Sequence, residues 1–436
     1  MKKLLEKKIK ERTAKICVVG LGYVGLPLAV EFAKNNFFVF GIDCDVQKID
    51  WLNKGKSYIQ DVDERELKGL TEEKRFYFTN DYKTINHADV VIICVPTPLR
   101  KTKEPDMSYI LAAANAIKER IRRGQLIILE STTYPGTTEE VLLQLFSQNK
   151  LKVGRDFFLA FSPERIDPGN KIYKTSNIPK IVGGITKYCS SLAKLLYEQI
   201  TVSVFVVSNS KAAEMAKLLE NTFRAVNIAL INEVALMCYK LGINVWEVIE
   251  AAKTKPFGFM VFYPGPGLGG HCLPIDPWYL SWKARLSGFE PRLIDLASQI
   301  NSSMPSYVVT RIIDLVNQRF ACPIKAARIL IIGVTYKKNV ADIRESPALE
   351  ILNLLSKHKA DVQYFDPYIR QLKLGDKTYR SVNLTQANLR KSLCTVIVTD
   401  HDNIDFNFIL ENSKLIFDTR NAYNNKKDRR IVYLSS

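Results

Sequence analysis

A single cysteine, Cys272, lies in a loop rich in glycine and proline, FYPGPGLGGHCLPIDP, at positions 262–277. Such a loop has little side chain to bury, and its glycines and prolines adopt backbone conformations that other residues resist. We therefore expect Cys272 to be presented to a ligand rather than packed in a core. A thiol with an ordinary pKa is roughly a few per cent thiolate at neutral pH, yet the thiolate is a strong nucleophile. Asp276 follows closely, and the adjacent His271 is interpreted as a loop residue rather than a base.

The segment VVGLGYVG places Gly20, Gly22 and Gly25 in a GxGxxG pattern between an apolar strand and a helix. In this pattern the first glycine allows a tight turn, the second lets a pyrophosphate approach the backbone, and the third lets helix pack on strand. Asp43 ends the next predicted strand, where a carboxylate accepts from the ribose hydroxyls of NAD and repels the 2′-phosphate of NADP. The pattern predicts NAD binding. Together with Cys272, it suggests aldehyde oxidation through a thiohemiacetal and a thioester.

Two further sets of polar residues could support this chemistry. Lys217 and Asn221 are four apart on one face of a predicted helix, so together they could donate to a developing oxyanion. Taken alone, a solvated lysine and a surface asparagine are the more common interpretation. Lys337, Lys338 and Arg344 follow a later strand, where cations suit phosphates. A solvated charged loop is the alternative there.

The elements that must position these residues predict an α/β fold. Buried strands and helices alternate over the first 200 residues, which is typical of a parallel sheet. A proline-free helical pattern follows from Ser210 to Gly242, and a second α/β unit begins near Lys325 with Gly333 alone at its turn. We predict two Rossmann-like, doubly wound domains joined by a long central helix and a helical middle region. The predicted boundaries are a basic lead-in at 1–14, an NAD-binding domain at 15–209, a central helical dimerisation domain with the cysteine loop at 210–322, and a C-terminal domain at 323–436.

Composition narrows the class of protein. The chain has 436 residues, 47% of them hydrophobic, and a formal net charge of +17. The positive charge makes nucleic acid a candidate partner, but the cations form no stripe with aromatic residues. A positive field equally suits a doubly anionic substrate. The basic start lacks an apolar core, so no secretory signal is expected, and no apolar run suits a membrane span. Eight cysteines without a CxxC pair favour free thiols in a reducing cytoplasm over a zinc site, with Cys17 and Cys94 buried.

Several motifs together make the chain resemble the UDP-glucose/GDP-mannose dehydrogenase family from Lys15 onward. They occur in the family's order: GLGYVGLPLA, VPTP, ESTTYPGT, SPER, KLLENTFRAVNIALINE, GPGLGGHCLPIDP and YKKNVADIRES. The resemblance implies an N-terminal NAD domain, a central dimerisation region and a C-terminal domain that holds UDP. It also implies two successive oxidations of a sugar C6 alcohol to a carboxylate, with two NAD⁺ consumed.

The resemblance also implies roles for individual residues. Cys272 resembles the nucleophile, Lys217 and Asn221 the oxyanion donors, and Asp276 the carboxylate that positions the water and the lysine. Thr132 resembles the threonine that holds the catalytic water, and Glu164 the base for thioester hydrolysis. The implied cofactor contacts are Gly20, Gly22, Tyr23, Val24, Gly25, Asp43, Pro96, Thr97 and Thr132. The implied substrate contacts are Glu164, Arg165, Lys217, Asn221, Lys255, Phe262, Tyr263, Gly269, Lys337 and Arg344.

Two departures bear on the substrate. The UDP-glucose enzymes carry a second glutamate four residues after the one in SPER, where this chain has Pro168, and they read NPSFGYGG before the cysteine, where this chain has KPFGFMVFYPGPGLGG. Both changes resemble the branch that acts on N-acetylated UDP-hexosamines. The loop looks most like UDP-N-acetylglucosamine 6-dehydrogenases, with the UDP-N-acetylmannosamine and UDP-N-acetylgalactosamine enzymes as close alternatives and UDP-glucose as a further one.

Other functional classes remain as alternatives. A two-electron β-hydroxyacid dehydrogenase shares the Rossmann domain and the long helix, but it accounts for neither Cys272 nor the second α/β unit. An NAD-sensing or scaffold protein on a degenerate dehydrogenase fold would be favoured by a broken catalytic set. That set is intact here.

Overall fold

The computed structural model describes residues 1–59, 61–100, 102–167, 169–170 and 172–435. The chain forms two compact units, one of residues 1–220 with 278–289 and the other of residues 221–277 with 290–435. The helices are α1 (Lys2–Lys10), α2 (Gly25–Lys34), α3 (Val46–Asn53), α4 (Glu64–Glu72), α5 (Ser108–Lys118), α6 (Gln144–Ser147), α7 (Lys187–Tyr197), α8 (Ser210–Leu241), α9 (Val245–Lys253), α10 (Asp276–Leu286), α11 (Arg292–Phe320), α12 (Pro347–Lys357), α13 (Gln386–Lys391) and α14 (Phe406–Asn412).

The strands alternate with these helices, as the sequence predicts. They are β1 (Lys15–Val19), β2 (Phe38–Ile42), β3 (Phe76–Thr79), β4 (Val90–Ile93), β5 (Leu126–Leu129), β6 (Phe158–Phe161), β7 (Lys180–Gly184), β8 (Val204–Val206), β9 (Arg328–Ile332), β10 (Asp361–Phe365), β11 (Gln371–Leu374), β12 (Lys377–Arg380), β13 (Cys394–Ile397), β14 (Ile416–Asp418) and β15 (Ile431–Tyr433). The α/β fold class with two Rossmann-like sheets is confirmed.

The first unit contains a sheet in the order β3-β2-β1-β4-β5-β6-β7-β8. The strands from β3 to β6 pair in parallel, and apolar strands such as β4 and β5 are buried along their whole length. Burial on both faces is what a parallel sheet between two helical layers requires. Cys17 and Cys94 are buried in this region, as predicted.

Strand β7 departs from the parallel pattern, because it runs antiparallel to β6. The connection between them, residues 162–179, has no helix in the part that the structure describes. A parallel return needs a crossover, usually helical, so this connection brings the chain back in the opposite direction. The start of β7 therefore lies at the same sheet edge as the end of β6.

Helix α8 confirms the predicted long central helix. It runs for 32 residues and leaves apolar side chains exposed, among them Leu219 at 57%, Leu230 at 53% and Met237 at 53%. No helix within the described ranges is long and apolar enough to cross a membrane. The basic lead-in forms α1, whose Leu5 and Ile9 are buried.

The second unit contains a smaller parallel sheet, in the order β10-β9-β13-β14-β15, and the hairpin β11-β12. Helices α11 and α12 contribute to its core together with the buried faces of these strands. The sequence predicts the first four strands of the sheet. It misses β15, the hairpin and, in the first unit, β3.

Candidate active site

The glycine-rich turn after β1 has the geometry that a dinucleotide needs. Gly20 has φ +92°, and a Cβ there would lie 2.6 Å from the Cys94 carbonyl oxygen. A Cβ on Gly25 would lie 1.8 Å from the Gly20 carbonyl oxygen, whereas a Cβ on Gly22 would meet nothing within 4 Å. The first and third glycines are therefore required by the turn itself. The open space at Gly22, before the first turn of α2, fits a pyrophosphate.

Asp43 holds this turn from the end of β2. Its carboxylate accepts the Leu21 backbone NH at 2.9 Å and the Asp45 backbone NH at 2.9 Å. The Tyr58 hydroxyl donates to the Leu21 carbonyl oxygen at 2.6 Å, so Leu21 is fixed from both sides. Asp43 thus lies at the end of the second strand, as the sequence predicts, and it has a structural role; its contact with a ribose stays a prediction.

The other predicted cofactor contacts follow the strands of the first sheet. Tyr23 and Val24 are half-buried against the core beside the glycine turn. Pro96 is exposed, Thr97 is buried and Thr132 is half-buried after β4 and β5. These positions lie at the carboxyl ends of the strands, where ligands bind in open α/β sheets.

Glu164 belongs to a buried charge cluster that the sequence did not reveal. Its carboxylate accepts the backbone NH groups of Arg165 and Ile166 at 2.6 and 2.8 Å, and the Lys180 ammonium at 3.0 Å. Lys180 also forms an ion pair with Glu130. Burial alone would raise the pKa of Glu164, but the Lys180 charge and the hydrogen bonds outweigh it and lower that pKa.

The chain pattern does contain a signal for the two missed residues. Glu130 directly follows the buried strand β5, and Lys180 opens the buried strand β7. Charged residues are almost never fully buried unless paired, so a charge at the end of an apolar strand predicts a partner. The sequence does not say which partner, because β7 reverses direction.

Helix α8 carries Lys217 and Asn221, and both side chains are buried, at 7% and 6% exposure. The interpretation as a solvated lysine and a surface asparagine is therefore wrong, because the helix is packed on that face. Glu214, one turn earlier, is also buried and accepts the backbone NH groups of Gly136 and Thr138 at 2.6 and 2.9 Å. It anchors the segment that follows Thr132.

The glycine-rich loop before Cys272 packs tightly within the second unit. A Cβ on Gly269 would lie 2.6 Å from the Tyr336 Cβ, and a Cβ on Gly270 would lie 2.8 Å from the Tyr336 ring. The Gly270 backbone NH donates to the Arg344 carbonyl oxygen at 2.9 Å. The glycines are therefore required by the close approach of the segment that carries the predicted phosphate-binding cations.

Cys272 is exposed at the end of this loop. Its carbonyl oxygen accepts the backbone NH of Asp276 at 2.9 Å, which forms a helical turn leading into α10. The Asp276 carboxylate is buried and accepts from the Asn221 amide at 2.5 Å. Burial and the nearby Arg344 charge lower the pKa of His271. The structure thus brings Asn221 and Asp276 together beside the turn that begins at Cys272.

The loop after β9 presents the predicted substrate cations. Arg344 is exposed and is held by a bidentate contact with Asp342, at 2.6 to 3.1 Å. Lys337 is half-buried, and Lys338 forms an ion pair with Asp402 at 3.0 Å. Lys338 therefore serves to fix the loop, which favours the charged-loop interpretation for that residue.

The remaining predicted substrate contacts occupy several positions. Arg165 forms an ion pair with Glu220 at 2.7 Å. Lys255 is exposed and lies over the Phe257 ring, while Phe262 packs edge-on against Phe223. The Tyr263 hydroxyl donates to Glu250 at 2.8 Å, and the Tyr263 ring stacks on Trp246. Pro168, which marks the departure from the UDP-glucose enzymes, lies outside the described residues.

Comparison with known proteins identifies the family of the chain. A glycine turn that fits NAD, an exposed loop cysteine and a second Rossmann-like sheet are features expected of an NAD-dependent oxidoreductase. The NAD-binding, central and UDP-binding models of the UDP-glucose/GDP-mannose dehydrogenase family match residues 14–201, 211–303 and 330–425. The chain therefore belongs to the UDP-glucose/GDP-mannose dehydrogenase family.

Relatives within the family differ in the sugar their names give. The chain is 39% identical over 357 residues to a UDP-N-acetyl-D-glucosamine 6-dehydrogenase of Pseudomonas aeruginosa, covering 81% of this chain and 83% of that protein. It is 34% identical over 420 residues to a UDP-N-acetyl-D-mannosamine dehydrogenase of Methanococcus maripaludis, covering 93% and 92%. The solved UDP-D-ManNAc dehydrogenase of Pyrococcus horikoshii superposes with a TM-score of 0.88 at 33% identity, covering 97% of this chain and 99% of that chain.

Proposed function

We propose that this protein oxidises the C6 alcohol of UDP-N-acetylglucosamine to the carboxylate, giving UDP-N-acetylglucosaminuronate for polysaccharide precursor synthesis. The observation that carries the proposal is the exposed Cys272 at the end of a tightly packed glycine loop, beside the buried Asn221–Asp276 pair. A cysteine nucleophile is what a four-electron oxidation needs and a two-electron hydroxyacid dehydrogenase does not. NAD⁺, when bound, supplies the oxidising equivalents, two molecules for each sugar.

The proposed roles of the chain's own residues follow from their chemistry. The Cys272 sulfur adds to the C6 aldehyde to form a thiohemiacetal, and after the second oxidation the same sulfur holds C6 as a thioester. Lys217 and Asn221 donate hydrogen bonds to the C6 oxygen as it gains negative charge. Water held by Thr132 then attacks the thioester, Glu164 takes the proton, and the thiolate leaves. Asp276 orients the Asn221 amide.

Substrate binding is assigned to individual residues. Lys337 and Arg344 contact the UDP phosphates, a role that suits cations on a loop held by Asp342. Arg165, Lys255, Phe262, Tyr263 and Gly269 complete the proposed substrate contacts. We also propose a homodimer or higher homo-oligomer, which would cover the apolar side chains that α8 exposes.

The gluco substrate is preferred because the loop before Cys272 resembles that group, and because the 39% identical relative carries that name. UDP-N-acetylmannosamine is the second candidate, favoured by the names of the Methanococcus and Pyrococcus relatives. The two sugars differ at one stereocentre, C2.

The test is to count NADH formed per limiting sugar for UDP-N-acetylglucosamine, its manno and galacto epimers, and UDP-glucose. Two NADH per UDP-N-acetylglucosamine, with slower turnover of the others, would support the proposal. One NADH per sugar would contradict the thioester role of Cys272, and fastest turnover of another sugar would reassign the substrate. Cys272→Ala should abolish uronate formation while NAD⁺ still binds.

A further inference from the structure

Three elements of the first unit bring one lysine between two carboxylates. Glu130 follows β5, Glu164 follows β6, and Lys180 opens β7, which runs antiparallel to β6. All three therefore lie at the same edge of the sheet. Their side chains are 0%, 9% and 4% exposed, respectively. A lysine is rarely buried to this degree unless it is paired, and here the ammonium is paired with two carboxylates.

The carboxylates are held in different ways. Glu130 accepts from Lys180, from the Tyr197 hydroxyl at 2.9 Å and, weakly, from the Cys94 thiol at 3.6 Å. The Glu164 Oε1 atom accepts two backbone NH groups, while Oε2 accepts the Lys180 ammonium at 3.0 Å. The titratable groups that face Lys180 are thus the two glutamates, Tyr197 and Cys94, and the Lys180 ammonium also lies 4.9 Å from the centre of the Tyr197 ring.

The charge balance explains what Lys180 does for Glu164. With one ammonium and two carboxylates the cluster has a formal charge of −1. Without the ammonium, two buried carboxylates would stand close together, and such a pair shares a proton rather than staying doubly ionised. Either glutamate could then take that proton, and a protonated Glu164 cannot act as a base.

We propose that Lys180 is a positioning residue that keeps Glu164 ionised and fixes its Oε2 atom for thioester hydrolysis. The inference rests on the proposed role of Glu164 and assigns a further residue to that reaction. Glu130 is the counter-charge that keeps Lys180 in place.

The test compares the pH dependence of kcat for wild type, Lys180→Met and the double variant Lys180→Met/Glu130→Gln, because Glu164 is proposed to act after the sugar has bound and been oxidised. In Lys180→Met we expect the apparent pKa of the acid limb to rise by about 1–3 units, because a nearby opposite charge lowers a carboxyl pKa by that amount. The double variant restores the formal charge of −1 and removes the competing carboxylate, so its acid limb should move back toward wild type. Lys180→Arg should keep most of the wild-type profile.

Separate controls distinguish a loss of folding from a loss of function. NAD⁺ affinity and melting temperature identify a variant that has lost its fold, and the charge-matched double variant keeps the question testable if Lys180→Met does not fold. An acid limb that stays at the wild-type pH in a folded Lys180→Met would overturn the inference, and so would an acid limb that stays displaced in the double variant. Failure of the proposed function would look different, because wild type itself would then not give two NADH per sugar.

Discussion

Gly270→Ala tests whether the loop before Cys272 is set by its contact with the Tyr336 segment. Gly270 has φ +83°, and the added methyl would lie 2.8 Å from the Tyr336 ring. The left-handed conformation costs alanine about 1–2 kcal/mol, and overpacking costs about 1–3 kcal/mol more. We therefore expect Gly270→Ala to lower the free energy of unfolding by about 2–5 kcal/mol. We also expect a displaced Cys272 and a lower kcat.

Two control variants separate strain from clash. Gly242 has φ +68° and open space around it, so Gly242→Ala should show the strain alone, about 1–2 kcal/mol. Gly269 has no positive φ, but its methyl would lie 2.6 Å from the Tyr336 Cβ and 2.9 Å from the Glu345 carbonyl oxygen, so Gly269→Ala should show the clash alone.

The assay is thermal melting of each variant with NADH formation measured in parallel. Gly270→Ala should melt lowest, and only the two loop variants should lose turnover while NAD⁺ affinity stays at the wild-type value. The double variant Tyr336→Ala/Gly270→Ala should lose less stability than the sum of the losses in the two single variants, because the added methyl group of Gly270→Ala clashes with the Tyr336 ring. Equal melting temperatures for Gly270→Ala and Gly242→Ala, with normal turnover in both, would refute the packing argument.

Two other predictions concern buried polar groups. Burial raises the pKa of Glu214 to about 7 against its three hydrogen bonds. A raised carboxyl pKa contributes stability that is present below the unfolded value near 4.5 and is lost as pH rises through about 7, a change on the order of 3 kcal/mol. The melting temperature of wild type should therefore fall from pH 5 to pH 8, and Glu214→Gln should reduce this dependence on pH. The same pH dependence in wild type and Glu214→Gln would contradict the raised pKa of Glu214. In the second unit, His401→Phe should weaken UDP binding about tenfold in titration calorimetry without changing NAD⁺ affinity, since a lost buried hydrogen bond costs about 1–3 kcal/mol; unchanged UDP affinity would count against it.

The expected effect of His401 follows from the loop that it supports. His401 is fully buried, and its Nδ1 atom accepts the Asn339 backbone NH at 2.9 Å. Its Nε2 atom lies 3.2 Å from both Asp366 and the Thr335 hydroxyl. Both side-chain partners share one nitrogen, so this is not a catalytic relay, which needs one partner on each nitrogen. The imidazole instead fixes the loop that carries Lys337 and Arg344.

The sequence predicts the fold well where pattern and local chemistry agree. The apolar strands, the long helix α8 and the glycine turn are all local signals, and the structure confirms them. The Glu130–Lys180–Glu164 cluster could not be predicted, because it depends on the reversed direction of β7. The tight packing of the glycines before Cys272 could not be predicted either, because their neighbour Tyr336 is more than sixty residues away in the chain.

The two Rossmann-like units show that the carboxylate at the end of the second strand has a structural role as well as a predicted role in binding. Asp43 ends the second strand of the first sheet and accepts the Leu21 backbone NH at 2.9 Å, one residue after Gly20. Asp366 ends the corresponding strand of the second sheet and accepts the Val334 backbone NH at 2.7 Å, one residue after Gly333. The second unit lacks the full glycine pattern, yet it keeps this carboxylate. A carboxylate at this position therefore stabilises the turn whether or not a dinucleotide binds, and Asp43 alone does not indicate NAD. The glycine at position 22 is the more specific signal within this motif, because the turn itself does not require a glycine there and a close pyrophosphate would.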